Sequence, residues 1–296
     1  MTTSNPDLST DEDSVAPLPS LGPLKPVPGP SPLGGGLKRA AELLYVMGMI
    51  DFKKVYFGTA LGYVWSLARP LLLFAVLLIV FTQIFRIGSE VPYYPVLLLF
   101  NIVLFSFFQE ATMMAVSSIV GQEAIVRKTQ FPRLVIPIST VFTSLLNLGL
   151  NLVVVFIFII AFGVSPTWSW FLFPVVLLLL IVITCAVAMI VSALYPRFRD
   201  LGIIWSVAST VLFYGTPVLY PINVVPETLR QVLMLNPLSS IFEEARRYVI
   251  DPSAPSAVSA AGGWLALVPA LLIYVGTCVL AVWVFRREAP RIAEQL

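Results

Sequence analysis

SWFLFPVVLLLLIVITCAVAMIVSAL, residues 169–194, carries no charged side chain. It exceeds the roughly 20 apolar residues that a helix needs to cross the hydrocarbon core of a bilayer. Working outward from it, comparable stretches recur at about 63–85, 95–119, 134–162, 201–220 and 263–285. The chain of 296 residues is 58% hydrophobic and 11% charged, against about a quarter charged for an ordinary soluble domain. The sequence therefore predicts an all-α integral membrane protein with six transmembrane helices.

The distribution of Lys and Arg sets the expected topology. An even number of spans places both termini on one side. With that side taken as the cytoplasm, fourteen of the eighteen cations fall in inner segments, and only Arg86, Arg230, Arg246 and Arg247 fall outside. Residues 1–36 hold eight prolines, much Ser and Gly, and the acidic group Asp11, Glu12, Asp13. Such a composition builds no core and predicts a disordered cytoplasmic tail. LKRAAELLYVMGMIDFKKVYF, residues 37–57, is too charged to span. Leu37, Ala40, Leu44, Met47 and Val55 share one helical face and Lys38, Arg39, Glu42 and Lys53 cluster on another, which suits a helix lying in the inner interface. The six-span body is expected over 58–290, with a short cytoplasmic tail at 291–296. Within span 1, Arg69 and Pro70 interrupt the apolar run, and Arg69 is expected to snorkel to the inner interface.

Several classes of function are excluded or weakened. There is no histidine, the usual general base and the commonest metal ligand. No HExxH, cysteine cluster or GxxxxGK[ST] phosphate loop occurs, so no cofactor or metal is expected in this chain and any ATP and Mg must be held by another. Cys185 and Cys278 lie inside apolar runs and read as small hydrophobes. A net charge of +2 gives no reason to expect nucleic acid. A membrane-embedded transferase would need a carboxylate or histidine cluster at one face, and the acidic residues are scattered. A secondary transporter would need ionisable residues at the midplane of paired broken spans, for which only Glu110 qualifies.

Three segments carry the functional expectations. GQEAIVRKTQFPRLVIP, residues 121–137, follows span 2 on the predicted cytoplasmic side. A short helix over about 121–132 ending at Pro132 is expected, presenting Glu123, Arg127 and Lys128 as polar contacts and Ile125 and Phe131 as apolar knobs suited to a groove on another protein. YPRFRD, residues 195–200, leaves Arg197, Arg199 and Asp200 at the inner surface. VPETLRQVLMLNPLSSIFEEARRYVI, residues 225–250, predicts two short external helices broken at Asn236-Pro237, the second bearing Glu243 and Arg246; they either lie on the outer surface or dip in and return.

DFKKVYFGTALGYVWSLARPLL, EAIVRKTQFPRLVIP, YPRFRD, TPVLYP and LNPLSSIFEEARR occur in this order, and over about residues 38–290 the chain resembles the permeases of ABC type-2 exporters, most of all those exporting O-antigen, capsule and teichoic acid. The resemblance implies a homodimer in the bacterial inner membrane, two copies of a separate ATPase subunit, and a lipid-linked polysaccharide as cargo. It implies that residues 123–132 are the coupling helix seated on the ATPase. Sugars call for flat apolar faces that stack without holding too tightly, and the candidates are Tyr63, Trp65, Phe105, Phe107, Phe108, Tyr214 and Tyr220. Glu110, at mid-span, is expected to face a wet cavity, a partner or a dimer interface. Asn147 and Asn151 lie four apart on one face of span 3 and read as interhelical glue. A drug, a lipid or another small lipophile is the alternative cargo.

Overall fold

The computed structural model describes residues 37–57, 62–84, 91–123 and 132–289. The proline-rich tail, the C-terminal tail and Ile125, Arg127, Lys128 and Phe131 lie outside them, as does the side chain of Tyr63. Helix α1 (Leu37–Phe57) is followed by α2 (Gly62–Ile79), which ends in a π-helical turn, Val80–Ile84. Then come α3 (Tyr94–Val116), the single turn α4 (Ser118–Gly121), α5 (Val135–Ala161) and α6 (Phe173–Leu194). Next are α7 (Leu201–Gly215), α8 (Glu227–Leu233), α9 (Pro237–Val249), α10 (Ala257–Ala261) and α11 (Trp264–Glu288). Five helical stretches are long and apolar enough to cross a membrane, and α7 is a shorter apolar helix. Apolar sequence forces helix here because lipid offers the backbone no hydrogen-bond partner.

The bundle is built around α3. Seventeen of its residues are buried, and α2, α5, α6 and α7 all pack on it. Pro95 sits in its first turn, where the missing amide costs nothing. Ring pairs fill the surrounding layer: Phe100 lies 5.5 Å from Phe173, and Phe105 lies 5.1 Å from Phe213. α11 packs on α6, and its many exposed apolar side chains, Leu265, Leu271, Leu272 and Val279 among them, suit a lipid-facing surface.

α1 packs along α5. Gly48 is buried at the crossing, its carbonyl accepts from Thr143 Oγ1 at 3.2 Å, and a Cβ there would sit 2.4 Å from Phe142 Cδ1. The glycine lets the two helices approach, while Tyr45, Val46 and Ile50 remain exposed beside Arg39, Glu42, Lys53 and Lys54. Gly48→Ala is therefore expected to cost about 1–3 kcal/mol through overpacking. Adding Phe142→Leu should recover much of that loss, as read by thermal unfolding of the purified protein.

α7 stops five residues short of the expected end at 220. Thr216 is extended and Pro217 follows; proline offers no amide and bars the preceding residue from helical geometry. The chain runs on beside α3, and then α8 and α9 form a hairpin that turns back into the bundle. Asn236, at the hairpin's bend, donates from Nδ2 to Thr216 Oγ1 at 2.9 Å, and its Oδ1 caps α9 by accepting from Leu238 N at 3.0 Å. The bend is held against protein, and α9 packs on α6 and α11, while α8 remains largely exposed. The small helix α10 was not evident from sequence. Its signals are Ser256, whose hydroxyl caps it, and Gly262, whose φ of 92° ends it.

Candidate functional site

A cavity of about 810 Å³ lies between α2 and α7, with α3 and α5 behind it. Within a bundle this apolar, its lining is unusually polar: Ser66, Arg69, Ser106, Gln109, Glu110, Ser144, Asn147, Asn151, Ser206 and Ser209 all contribute. Glu110 sits on α3, about 9 Å of helix from Val116 at 1.5 Å per residue. A carboxylate so placed costs roughly 2.5–3.5 kcal/mol if it faces lipid; the cavity and the Asn147 amide offset part of that cost.

Helix geometry sets a short relay. Asn151 and Asn147, one turn apart on α5, face α3. Asn151 Nδ2 donates to Asn147 Oδ1 at 3.1 Å and to the Asn147 carbonyl at 2.9 Å, and Asn147 Nδ2 donates to Glu110 Oε2 at 3.0 Å. Asn147 links α5 to α3 and orients the carboxylate, whereas Asn151 bonds within α5 and braces Asn147. On the opposite wall Gln109 Nε2 donates to Ser209 Oγ at 3.3 Å, and Ser209 donates onward to the Ser206 carbonyl at 3.0 Å. Arg69 lines the same space from an exposed position on α2.

The aromatic candidates separate clearly. Trp65 is 62% exposed and lines the cavity, and Phe107 lines it from a buried position. Phe105 and Phe108 do not reach it. Phe105 packs against Phe213 and Phe242, and Phe108 against Trp205, each 1% exposed. The reason is that α3 is central, so most of its faces meet protein. Tyr214 is exposed near the end of α7, and its carbonyl accepts from the half-buried Tyr220 hydroxyl at 3.1 Å. Neither tyrosine lines the cavity.

Above the cavity the broken end of α7 is laced to α3. Asn101 Nδ2 donates to the carbonyls of Pro217 and Val218 at 3.1 and 3.4 Å, and Tyr94 Oη donates to the Leu219 carbonyl at 2.7 Å. Asn101 and Gln109 escaped sequence reasoning. The available signal was an amide inside an apolar span, which in lipid demands a partner. Beside the break, Glu243 and Arg246 of α9 form a buried ion pair at 3.3 Å, and Arg246 also approaches Asp251 at 3.9 Å.

At the far end of the bundle, the ends of the expected coupling segment are anchored. Glu123 is half-buried and Pro132 buried. α4 and the start of α5 meet α6 and α11 in a small apolar cluster of Ile119, Ile136, Ala193, Val284, Phe285 and Ala289, with Met47 of α1 against it. In the nearby turn Arg197, Arg199 and Asp200 are exposed; Arg197 stacks 5.2 Å from the Phe198 ring and Arg199 5.5 Å from that of Tyr195. Among the described residues no cluster of His, Cys, Asp or Glu could hold a metal ion.

Comparison with known proteins agrees with this geometry. The family model for the ABC-2 type transporter matches residues 42–249. An O-antigen export system permease protein RfbA of Klebsiella pneumoniae is 32% identical over 201 residues, covering 68% of this chain and 77% of the relative. The protein of the same name from Myxococcus xanthus is 30% identical over 217 residues, covering 73% and 83%. The matched region runs from α1 through the cavity and the helix break to the end of α9, so the polar cavity and the buried helix α9 are parts of a membrane-spanning transport subunit, and the chain belongs to the ABC-2 type transporter family.

Proposed function

We propose that the chain is the permease of an ATP-driven exporter that moves a lipid-linked polysaccharide from the cytoplasmic to the outer side of the bacterial inner membrane. The observation that carries this reading is the likeness to O-antigen export permeases over most of both chains. A cavity rich in hydroxyl, amide and carboxylate groups supports a polyhydroxyl cargo over a small lipophile, which would call for a greasy wall. The proposed assembly is a homodimer with two ATPase subunits. α2 and α7 both contribute to the cavity lining and carry exposed apolar side chains, Leu72, Val76 and Ile79 on the one and Ile203, Val207 and Val211 on the other, and in this reading a second copy covers them and encloses the cavity as a passage.

In this assembly residues 123–132 sit on the ATPase, and Arg197, Arg199 and Asp200 face the same side. Both ends of the coupling segment are tied to a packed apolar cluster, so a push on it is passed to α4, α5 and α11 rather than absorbed locally. A nucleotide-driven change shifts the permease only as far as the ATPase contacts differ between its states.

The test uses the double variant Arg127→Ala/Phe131→Ala, purified with the ATPase subunit. Removing an apolar knob and a charged contact at the centre of an interface is expected to cost about 2–4 kcal/mol. The outcome expected is loss of the copurified ATPase, or ATP hydrolysis no longer tied to appearance of glycan at the cell surface. Normal assembly with normal export would refute the coupling role.

A further inference from the structure

The relay at Glu110 leaves a specific chemical surplus. Asn147 Nδ2 is turned to Glu110 and Asn151 Nδ2 to Asn147, so these two amides spend donors on each other and on the carboxylate. Among the described residues, the contacts of Glu110 with this relay engage Oε2 alone, and the relay uses no acceptor of Asn151. Glu110 Oε1 and Asn151 Oδ1 remain as acceptors in the lining, beside the hydroxyls of Ser106 and Ser144 and the Arg69 guanidinium, which line the same space. The wall at Ser209 and Gln109 is satisfied internally. Trp65 offers an exposed flat ring at the rim.

Acceptors beside hydroxyl groups, with an aromatic plate at the mouth, form a site for a ligand that carries several hydroxyls on one edge and a C–H face for stacking. Lipid tails and aromatic drugs have no such edge. We infer that Glu110 and Asn151 form a sugar-binding station, which takes the hydroxyl edge of hexose units as they pass. This inference rests on the export reading above. A passing ligand must also leave, and a station with two acceptors and a rim ring holds each unit weakly.

The test is made on the permease–ATPase complex in native membranes. Ser106→Cys, in a Cys185→Ala/Cys278→Ala background, reports on the cavity through its rate of reaction with a small water-soluble maleimide. The probe is the cell's own lipid-linked glycan, present in one strain and absent from a second strain lacking the transferase that starts the glycan. An ATPase partner disabled in hydrolysis holds the loaded complex. Fast labelling is expected without glycan and slow labelling with it. Glu110→Leu is expected to weaken that protection about tenfold, the loss of one hydrogen bond to a charged group. Glu110→Gln keeps the oxygen that Asn147 Nδ2 uses but puts an NH2 donor in place of Oε1, so it should hold the relay together and still lose protection. Asn151→Leu leaves the Glu110–Asn147 pair in place and should weaken protection without disturbing assembly. Equal labelling in both strains overturns the station, and glycan reaching the surface in glycan-producing cells with the hydrolysing ATPase and the same permease then leaves export standing. Absence of labelling in both strains means that a second copy fills the cavity, and overturns it too. Protection unchanged in Glu110→Leu and Asn151→Leu does the same. Glycan reaching the surface in cells lacking the permease overturns the export reading and the station together.

Discussion

Arg246→Met is expected to destabilise the protein by about 3–5 kcal/mol, the usual result of removing one partner from a buried ion pair. Arg246 is 2% exposed, and its guanidinium lies 3.3 Å from Glu243 and 3.9 Å from Asp251. Without it, two carboxylates remain near each other with little access to water. The loss would fall on α9 and the turn that follows it, where the guanidinium holds Glu243 and Asp251 together. Thermal unfolding of the purified permease measures the effect. The double variant Arg246→Met/Glu243→Met should be closer to the parent than the single one, since an apolar pair of similar volume can replace a buried salt bridge at little cost. A single variant as stable as the parent would mean that the ion pair does not hold the hairpin.

Asn101→Leu is expected to be nearly as severe, for a different reason. Leucine shares the branching and the number of side-chain heavy atoms of asparagine, so the change disturbs the shape of the packing around α3 little while removing the donor. The carbonyls of Pro217 and Val218 lose their donor, and each buried acceptor left unpaired costs about 1–3 kcal/mol. The break after α7 should then loosen, with export falling more than assembly with the ATPase. Asn101→Gln places the same amide one methylene further out and should recover part of the function. Surface glycan measured beside copurified ATPase separates the two effects. Full export by Asn101→Leu would show that the break is held by its neighbours instead.

Much of this architecture was legible in the sequence because lipid imposes one rule, helix or nothing. The spans at 63–85, 95–119, 134–162, 169–194 and 263–285 agree with the helices to within a few residues. The exception was span 5, where hydropathy runs on through Val218-Leu219-Tyr220 while the backbone has already left the helix at Thr216-Pro217. Apolarity reports burial, and a buried non-helical strand of chain is as apolar as a helix. The site was legible only in part. Glu110 stood out as a charge in an apolar run, and Asn147 and Asn151 as a pair on one face. That all three meet depends on the register of α3 against α5, which no single span encodes. The aromatics were least legible, because a Phe that stacks on cargo and one that fills a core have the same sequence signature. Phe107 and Phe108 are adjacent, yet only Phe107 lines the cavity.

The placement of α3 has a consequence for how movement is distributed. A helix enclosed on most faces by close-packed side chains shifts only if all its neighbours shift with it. α2 and α7 each touch the bundle along one side and carry largely exposed apolar faces. Spin labels on α3 and α5 should therefore report one fixed separation through the ATP cycle, whereas labels on α2 and α7 should report two. On that outcome the carboxylate and amides would act as a stationary ruler, past which the Trp65 ring would travel with its own helix.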